Sequence, residues 1–319
     1  MTVIKFQKYI LLLFVFQLSI ANVSAQSDIS MSTHWYNRAN YNPASIARSD
    51  YLYLFTDIRR QWTGVNGTPT VFNIQASELN YAYHSAFGIS LVSDQIGLTQ
   101  AINPMLSYAY RIGKNDESWL SLGIAAGVFA RYFNGTQFSA VDDTDPVLFT
   151  DLENVISPDI NIGAEFQSPH YIFGISSTHL LSIGKKDNVY LNGNHIYGYA
   201  IYKNTESEFL NYNIGSQVVY HQGITILEGN ATIRLKHPTG LMPGGREIFD
   251  VGLTYRSSNQ LSFLVGLNIT NNLRVGYVYD QSLTTGYNSN STHEIMIEYR
   301  IPSQRASACK CLSEGLWYF

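Results

Sequence analysis

His293 and Glu294 stand side by side, which is how a helical zinc-protease motif opens: a second His must follow four residues after the first, with the Glu as general base. Position 297 is Ile297 and the pair sits in a strand-like alternation, so no such site is read here. Gly174-Ile175-Ser176-Ser177-Thr178 places Ser176 as a nucleophile elbow would, but Thr178 occupies the position of the required second Gly. The eight His are dispersed, and no Gly-rich phosphate loop occurs. Asp142, Asp143 and Asp145 offer calcium-binding chemistry yet read as solvated loop. Cys309 and Cys311, the two thiols, are too close to staple a large fold and read as part of a tail. Asn-x-Ser/Thr triplets such as Asn66-Gly67-Thr68 read as chance. The expectation is a protein without catalytic residues, cofactor or metal site.

The elements carrying these residues are set by composition and period. Of 319 residues, 45% are hydrophobic and 14% charged, too few ions to coat a water-facing surface. A net charge of -4 without a basic stripe argues against nucleic acid as a partner. The 23 Tyr, 16 Phe and 4 Trp supply amphipathic rings suited to a membrane–water boundary.

Lys5 and Lys8 precede an apolar run from Tyr9 to Phe16, extended by Leu18 and Ile20, and Val23-Ser24-Ala25 precedes Gln26. This reads as a secretory signal peptide over residues 1–25, cleaved between Ala25 and Gln26. Residues 26–49 are expected to form a periplasmic lead-in, 50–302 the folded body and 303–319 a C-terminal tail. Beyond residue 25 no apolar run reaches the roughly 18 residues of a transmembrane helix.

Period two appears instead. Leu273, Val275, Tyr277 and Tyr279 oppose Arg274, Gly276, Val278 and Asp280, and Ile295, Ile297, Tyr299 and Ile301 oppose Glu294, Met296, Glu298 and Arg300. A helix would scatter these charges around its circumference, whereas a strand places them on one face. The pattern recurs over 87–92, 120–128, 159–166, 247–256 and 260–270. A soluble sandwich also alternates, but here the polar faces are rich in Gly, Ser and Asn, as a small-residue lumen would be. The apolar faces end in Tyr or Trp, as an aromatic girdle would. The expected fold is all-β: a transmembrane antiparallel β-barrel of about fourteen strands. Strand starts are read near residues 50, 69, 85, 100, 118, 158, 170, 189, 208, 224, 246, 260, 272 and 291. An Arg facing mid-bilayer lipid costs about 2–4 kcal/mol, so Arg59, Arg234, Arg274 and Arg300 are expected inside or at a rim, with Arg274 pairing Asp280 or Arg300 pairing Glu298.

An even strand count returns both ends of the barrel to one rim. Short connections at 113–118, 167–170, 204–207 and 270–272 read as periplasmic turns, and 133–158 and 282–290 as outer loops. The 237–246 segment is long for a periplasmic turn.

Several local patterns, in series, resemble the PorP/SprF family of outer-membrane proteins associated with type IX secretion and gliding motility. They are Asn42-Pro43-Ala44; Arg59, Gln61, Trp62 and Gly64 through Gly67 and Pro69; Asp250 within 249–252; Gly276, Tyr277, Tyr279 and Asp280; and His293 with Glu294. Read physically, Asn42-Pro43 is a turn into the first strand, Arg59 and Gln61 share a lumen face with Asp57, and Trp62 marks the interface. The resemblance implies a non-enzymatic barrel in the outer membrane of a Gram-negative bacterium, contacting outer-membrane lipid, periplasmic type IX secretion components and a secreted surface client such as an adhesin. A rival reading is a channel or transporter for a small solute; a barrel phospholipase or protease lacks a catalytic constellation.

Overall fold

The computed structural model describes residues 31–48, 51–64, 66–115, 118–133, 154–182, 193–207, 209–236, 247–283 and 291–302. Ala25, Gln26, the acidic Asp142–Asp145 cluster, residues 237–246 and the tail with Cys309 and Cys311 lie outside them.

Fourteen strands form one closed ring. They are β1 (Tyr51–Arg60), β2 (Thr70–Asn80), β3 (Ser85–Ile96), β4 (Thr99–Asn115), β5 (Ser118–Phe133), β6 (Val155–Gln167), β7 (Tyr171–Thr178), β8 (His195–Asn204), β9 (Leu210–His221), β10 (Ile224–Lys236), β11 (Glu247–Arg256), β12 (Gln260–Asn268), β13 (Leu273–Ser282) and β14 (Thr292–Pro302). Each pairs antiparallel with its sequence neighbours, and β1 closes on β14 from Tyr51 opposite Pro302 to Arg60 opposite His293. Closure pairs every edge, as hydrocarbon surroundings require.

The strand starts follow the alternation to within a few residues except at β8, which begins at His195 and not near 189. Asn194 explains the delay. Its side-chain amide donates to Ser177 Oγ and to the Thr178 carbonyl, both at 2.7 Å, so it ends the β7 ladder as a loop residue.

Side chains alternate about the wall as a lipid-facing barrel demands. Ile124, Leu253, Phe263, Val265 and Ile297 point outward and are exposed, whereas Asp57, Arg59, Glu165, Asp250, Arg274 and Glu298 point inward and are buried. The rim formed by turns after odd-numbered strands is here the odd rim; the other, holding the start of β1 and the end of β14, is the even rim. Trp62, Tyr132, Tyr220 and Tyr255 are exposed near the odd rim, and Tyr83, Tyr110, Tyr171 and Tyr299 near the even rim. Two aromatic girdles therefore flank the apolar band. Tight turns occur at both rims, with Ile96 to Thr99 and His221 to Ile224 at the odd rim, so loop length separates the rims less cleanly than the sequence suggested.

The main correction concerns the N-terminal stretch. Residues 31–48, expected as part of a periplasmic lead-in, fold inside the barrel as three 3-10 turns, Ser32–Trp35, Arg38–Asn40 and Pro43–Arg48. Trp35, Arg38, Asn42, Ala44 and Ser45 are almost wholly buried. Near the odd rim, Ser32 meets Glu294, two residues into β14; toward the even rim, Arg48 lies 4.0 Å over the Tyr53 ring, two residues into β1. The segment thus crosses the lumen. Its aromatic content, His34, Trp35, Tyr36 and Tyr41, suits a packed interior and not a solvated linker.

Val265 lies near the middle of β12 on the outer face. Val265→Arg is expected to lower stability by about 2–4 kcal/mol in denaturant titrations of the vesicle-embedded barrel. An unchanged midpoint would mean that this face does not meet hydrocarbon.

Candidate functional site

The candidate site is the interface between the 31–48 plug and the inner wall. Four clusters hold it, each joining the plug to wall residues far from it in sequence.

The first lies on β1, β13 and β14. Arg59 Nη1 donates to Asp280 Oδ2 at 2.6 Å and also meets Glu294. The Glu294 carboxylate accepts from the backbone N–H groups of Ser32, at 2.9 and 3.0 Å, and of Thr33, at 2.9 Å. Ser32 Oγ donates to Asp280 at 3.0 Å and Thr33 Oγ1 to Asp57 at 2.5 Å. Asp280 and Glu294 thus share one guanidinium, and all three inward carboxylates take donors from the plug. Charge-assisted bonds of this kind are about twice as strong as neutral ones.

The second centres on Glu228 of β10, which accepts from Arg256 Nε at 2.7 Å and from the Trp35 indole N–H and lies 2.8 Å from His34 Nε2. In the third, Asp250 accepts from the Tyr36 hydroxyl at 2.7 Å and from Arg274 at 2.5 Å, with the Arg274 guanidinium 4.3 Å over the Tyr36 ring. Arg274 therefore does not pair with Asp280. Six residues apart on one strand, the two are separated by roughly 20 Å, beyond side-chain reach. The other expected pair does form, Arg300 to Glu298 at 2.8 Å.

The fourth cluster is the most enclosed. Arg38, with no exposed side-chain area, donates through Nε to Glu165 Oε2 at 2.8 Å and through Nη2 to Oε1 at 3.3 Å. Glu165 also accepts from the Tyr199 hydroxyl and from Gln167 at 2.5 Å. Asn42 donates to the Ala164 carbonyl at 3.1 Å and to Tyr199 at 2.8 Å, while its Oδ1 accepts from Ala44 N–H at 3.0 Å. Asn42 therefore caps the Pro43–Arg48 turn, and the turn lies inside the lumen. The wall accommodates it through two glycines: a Cβ at Gly163 would collide with the Asn42 side chain, and one at Gly123 with the Pro43–Ala44 peptide.

The sequence-nominated residues divide three ways. Asn42, Pro43, Ala44, Arg59, Asp250, Asp280 and Glu294 meet at the plug interface, and Gly276 sits behind it against Met296. Gln61, Trp62, Gly64, Gly67 and Pro69 shape the odd-rim connection between β1 and β2, where Gln61 N–H donates to the Pro69 carbonyl at 2.9 Å and Gly64 and Gly67 take positive φ of 103° and 75°. Tyr277, Tyr279 and His293 face outward together, with Tyr277 Oη 2.6 Å from His293 Nδ1. Trp35, Arg38, Glu165, Glu228 and Arg256 were missed. The available signal was the excess of inward-facing charges, each of which needs a partner once lipid is excluded.

A model of the type IX secretion system membrane protein family PorP/SprF matches residues 23–299. No curated protein matches the chain. Among solved structures, CymD, a monoaromatic hydrocarbon channel, is 13% identical over 89% of this chain and 96% of its own, with a TM-score of 0.51. The TodX deltaS2S3 mutant, also a monoaromatic hydrocarbon channel, is 10% identical over 84% and 94%, with a TM-score of 0.51. At such identities the likeness is one of fold.

Breaking a buried ion pair from one side leaves an uncompensated charge. Arg38→Leu is expected to destabilise the folded protein by about 3–5 kcal/mol, and Arg38→Leu combined with Glu165→Leu to recover most of that loss. Denaturant titration with protease protection of the plug checks both; equal losses in single and double variants would remove the pair from the account.

Proposed function

The chain belongs to the PorP/SprF family of type IX secretion system membrane proteins, and on that premise we propose that it is a non-enzymatic outer-membrane component of that system in a Gram-negative bacterium. In this reading it supports export or surface attachment of client proteins such as adhesins through contacts with periplasmic secretion components. A signal peptide cleaved between Ala25 and Gln26 supplies the route to the membrane.

The observation that carries the reading is the filled lumen. A solute pore needs a continuous polar path, but the middle of this barrel is occupied by residues 31–48, held on one side of the ring by the Arg38–Glu165 ion pair and on the other by hydrogen bonds from Ser32, Thr33 and Tyr36 to Glu294, Asp57 and Asp250. A barrel closed in this way offers its rims and outer face to other proteins. The rival reading, a small-solute channel, draws on the channels whose fold it shares, and conductance separates the two.

In planar bilayers the intact protein is expected to show no large steady conductance, while a variant lacking residues 31–48 shows one if its barrel still forms. A large open pore in the intact protein would favour the channel. In the producing organism, gene deletion is expected to remove particular exported proteins from the surface, with restoration by the wild-type gene. An unchanged surface proteome would sink the secretion role.

A further inference from the structure

Among the described side chains, the outer wall carries a single basic group. Every other described Arg or Lys lies within the lumen, whereas Arg60, the last residue of β1, points outward and is exposed. It makes no ion pair with a described residue. Trp62, two residues on, belongs to the odd-rim girdle, so the guanidinium sits where the wall passes from hydrocarbon to water. Along its outward row Arg60 stands opposite His293 of β14 on one side and Thr70 of β2 on the other, and Tyr279 of β13 stands opposite His293. One step toward the bilayer middle the row is Tyr277, Ile295, Ile58 and Phe72, all exposed. On the outward faces of these four strands the one described carboxylate is Glu78, eight residues along β2 from Thr70 and so roughly 26 Å away.

His293 adds hydroxyl donors to the cation. Its Nδ1 lies 2.6 Å from Tyr277 Oη and its Nε2 3.1 Å from Ser291 Oγ. A neutral imidazole has one N–H and one lone pair, so one of these hydroxyls donates to the ring while the other accepts from it and keeps its hydrogen for an outside acceptor. In the imidazolium both keep theirs. Tyr279 meets the imidazole edge-on at 5.4 Å and fixes its plane. The surface thus presents a guanidinium fork and a hydroxyl donor directly above an apolar strip. What fits it is negatively charged, accepts several hydrogen bonds and is joined to hydrocarbon. A phosphate matches the fork as a bidentate acceptor, and lipid tails match the strip. With no carboxylate near enough to hold an ammonium, a net anionic head group is favoured over a zwitterionic one.

We propose that Arg60 and the hydroxyls around His293 form a binding site for the head-group phosphate of an anionic membrane lipid, whose tails lie on Ile58, Phe72 and Ile295. The site goes beyond the secretion role and is independent of it, since it needs only that the outer wall meets a bilayer.

The test uses the full mature chain in nanodiscs of equal parts phosphatidylglycerol and phosphatidylcholine, which carry the lipid phosphate with and without a net charge. Native mass spectrometry counts the lipids that leave the bilayer with the barrel. The wild type is expected to retain phosphatidylglycerol over phosphatidylcholine by about fivefold, the size of one basic residue's attraction to an anionic surface. The chain's own net charge of -4 favours the opposite order. Arg60→Gln is expected to abolish the preference, Arg60→Lys to keep part of it because the charge stays while the fork is lost, and Glu78→Gln to leave it unchanged. Heat-modifiable gel mobility verifies that each variant folds, and Arg60→Met takes the place of Arg60→Gln if that variant does not. Equal retention of the two lipids by the wild type, or a folded neutral variant that keeps the wild-type ratio, would overturn the assignment. Displacement of phosphatidylglycerol by about 10 mM inorganic phosphate would overturn the lipid as its source and make this a site for free anions.

Discussion

The constraint on which this structure depends is that charge cannot face hydrocarbon, so every ionised side chain of the mid-barrel strands must be satisfied inside the ring. The wall does not achieve that alone. Asp57, Asp280 and Glu294 gather around Arg59, an excess of carboxylate over guanidinium that the backbone N–H and hydroxyl groups of Ser32 and Thr33 relieve. Glu165 points inward from β6, and the guanidinium that meets it comes from Arg38 of the plug. Without residues 31–48 these groups would have only water as partners, so the plug matches charge as well as filling volume.

Shape reinforces charge. The plug turns at Pro43–Arg48 press against β5 and β6 where Gly123 and Gly163 leave room for backbone and for Asn42. The Gly-rich polar faces are thus partly the imprint of a segment packed against them. The plug is tethered at the even rim, because Arg48 precedes the start of β1 by only three residues. Its other end meets the Arg59 cluster, next to the β1–β14 ladder that closes the ring.

Much of the wall was legible because period two is a local signal. The alternation in β11 to β14 identifies strand, face and approximate boundary from neighbouring residues alone, and the cost of an Arg facing lipid puts Arg59, Arg234, Arg274 and Arg300 inside or at a rim. The plug carries no such period. Its 3-10 turns are short, and its contacts span great sequence distances, 262 residues between Ser32 and Glu294 and 127 between Arg38 and Glu165. Local reasoning can see that Asp280 needs a partner, but not that Arg59 provides it across the β14 ladder while Arg274 turns toward Asp250.

The division of the nominated residues bears on how a secretion barrel works. Those facing inward are occupied in holding the plug. The outward and rim residues are different: Trp62 is half exposed, and Tyr277, Tyr279 and His293 form an outward cluster on β13 and β14 near the same rim. None of these contacts contributes to anchoring residues 31–48. Inward chemistry therefore explains how residues 31–48 are held in the lumen, and under the proposed role recognition of other proteins falls to surfaces that the plug leaves unengaged. That division follows from the filled lumen: a ring occupied by its own N-terminal segment can communicate with a partner only from its edges or its outer wall.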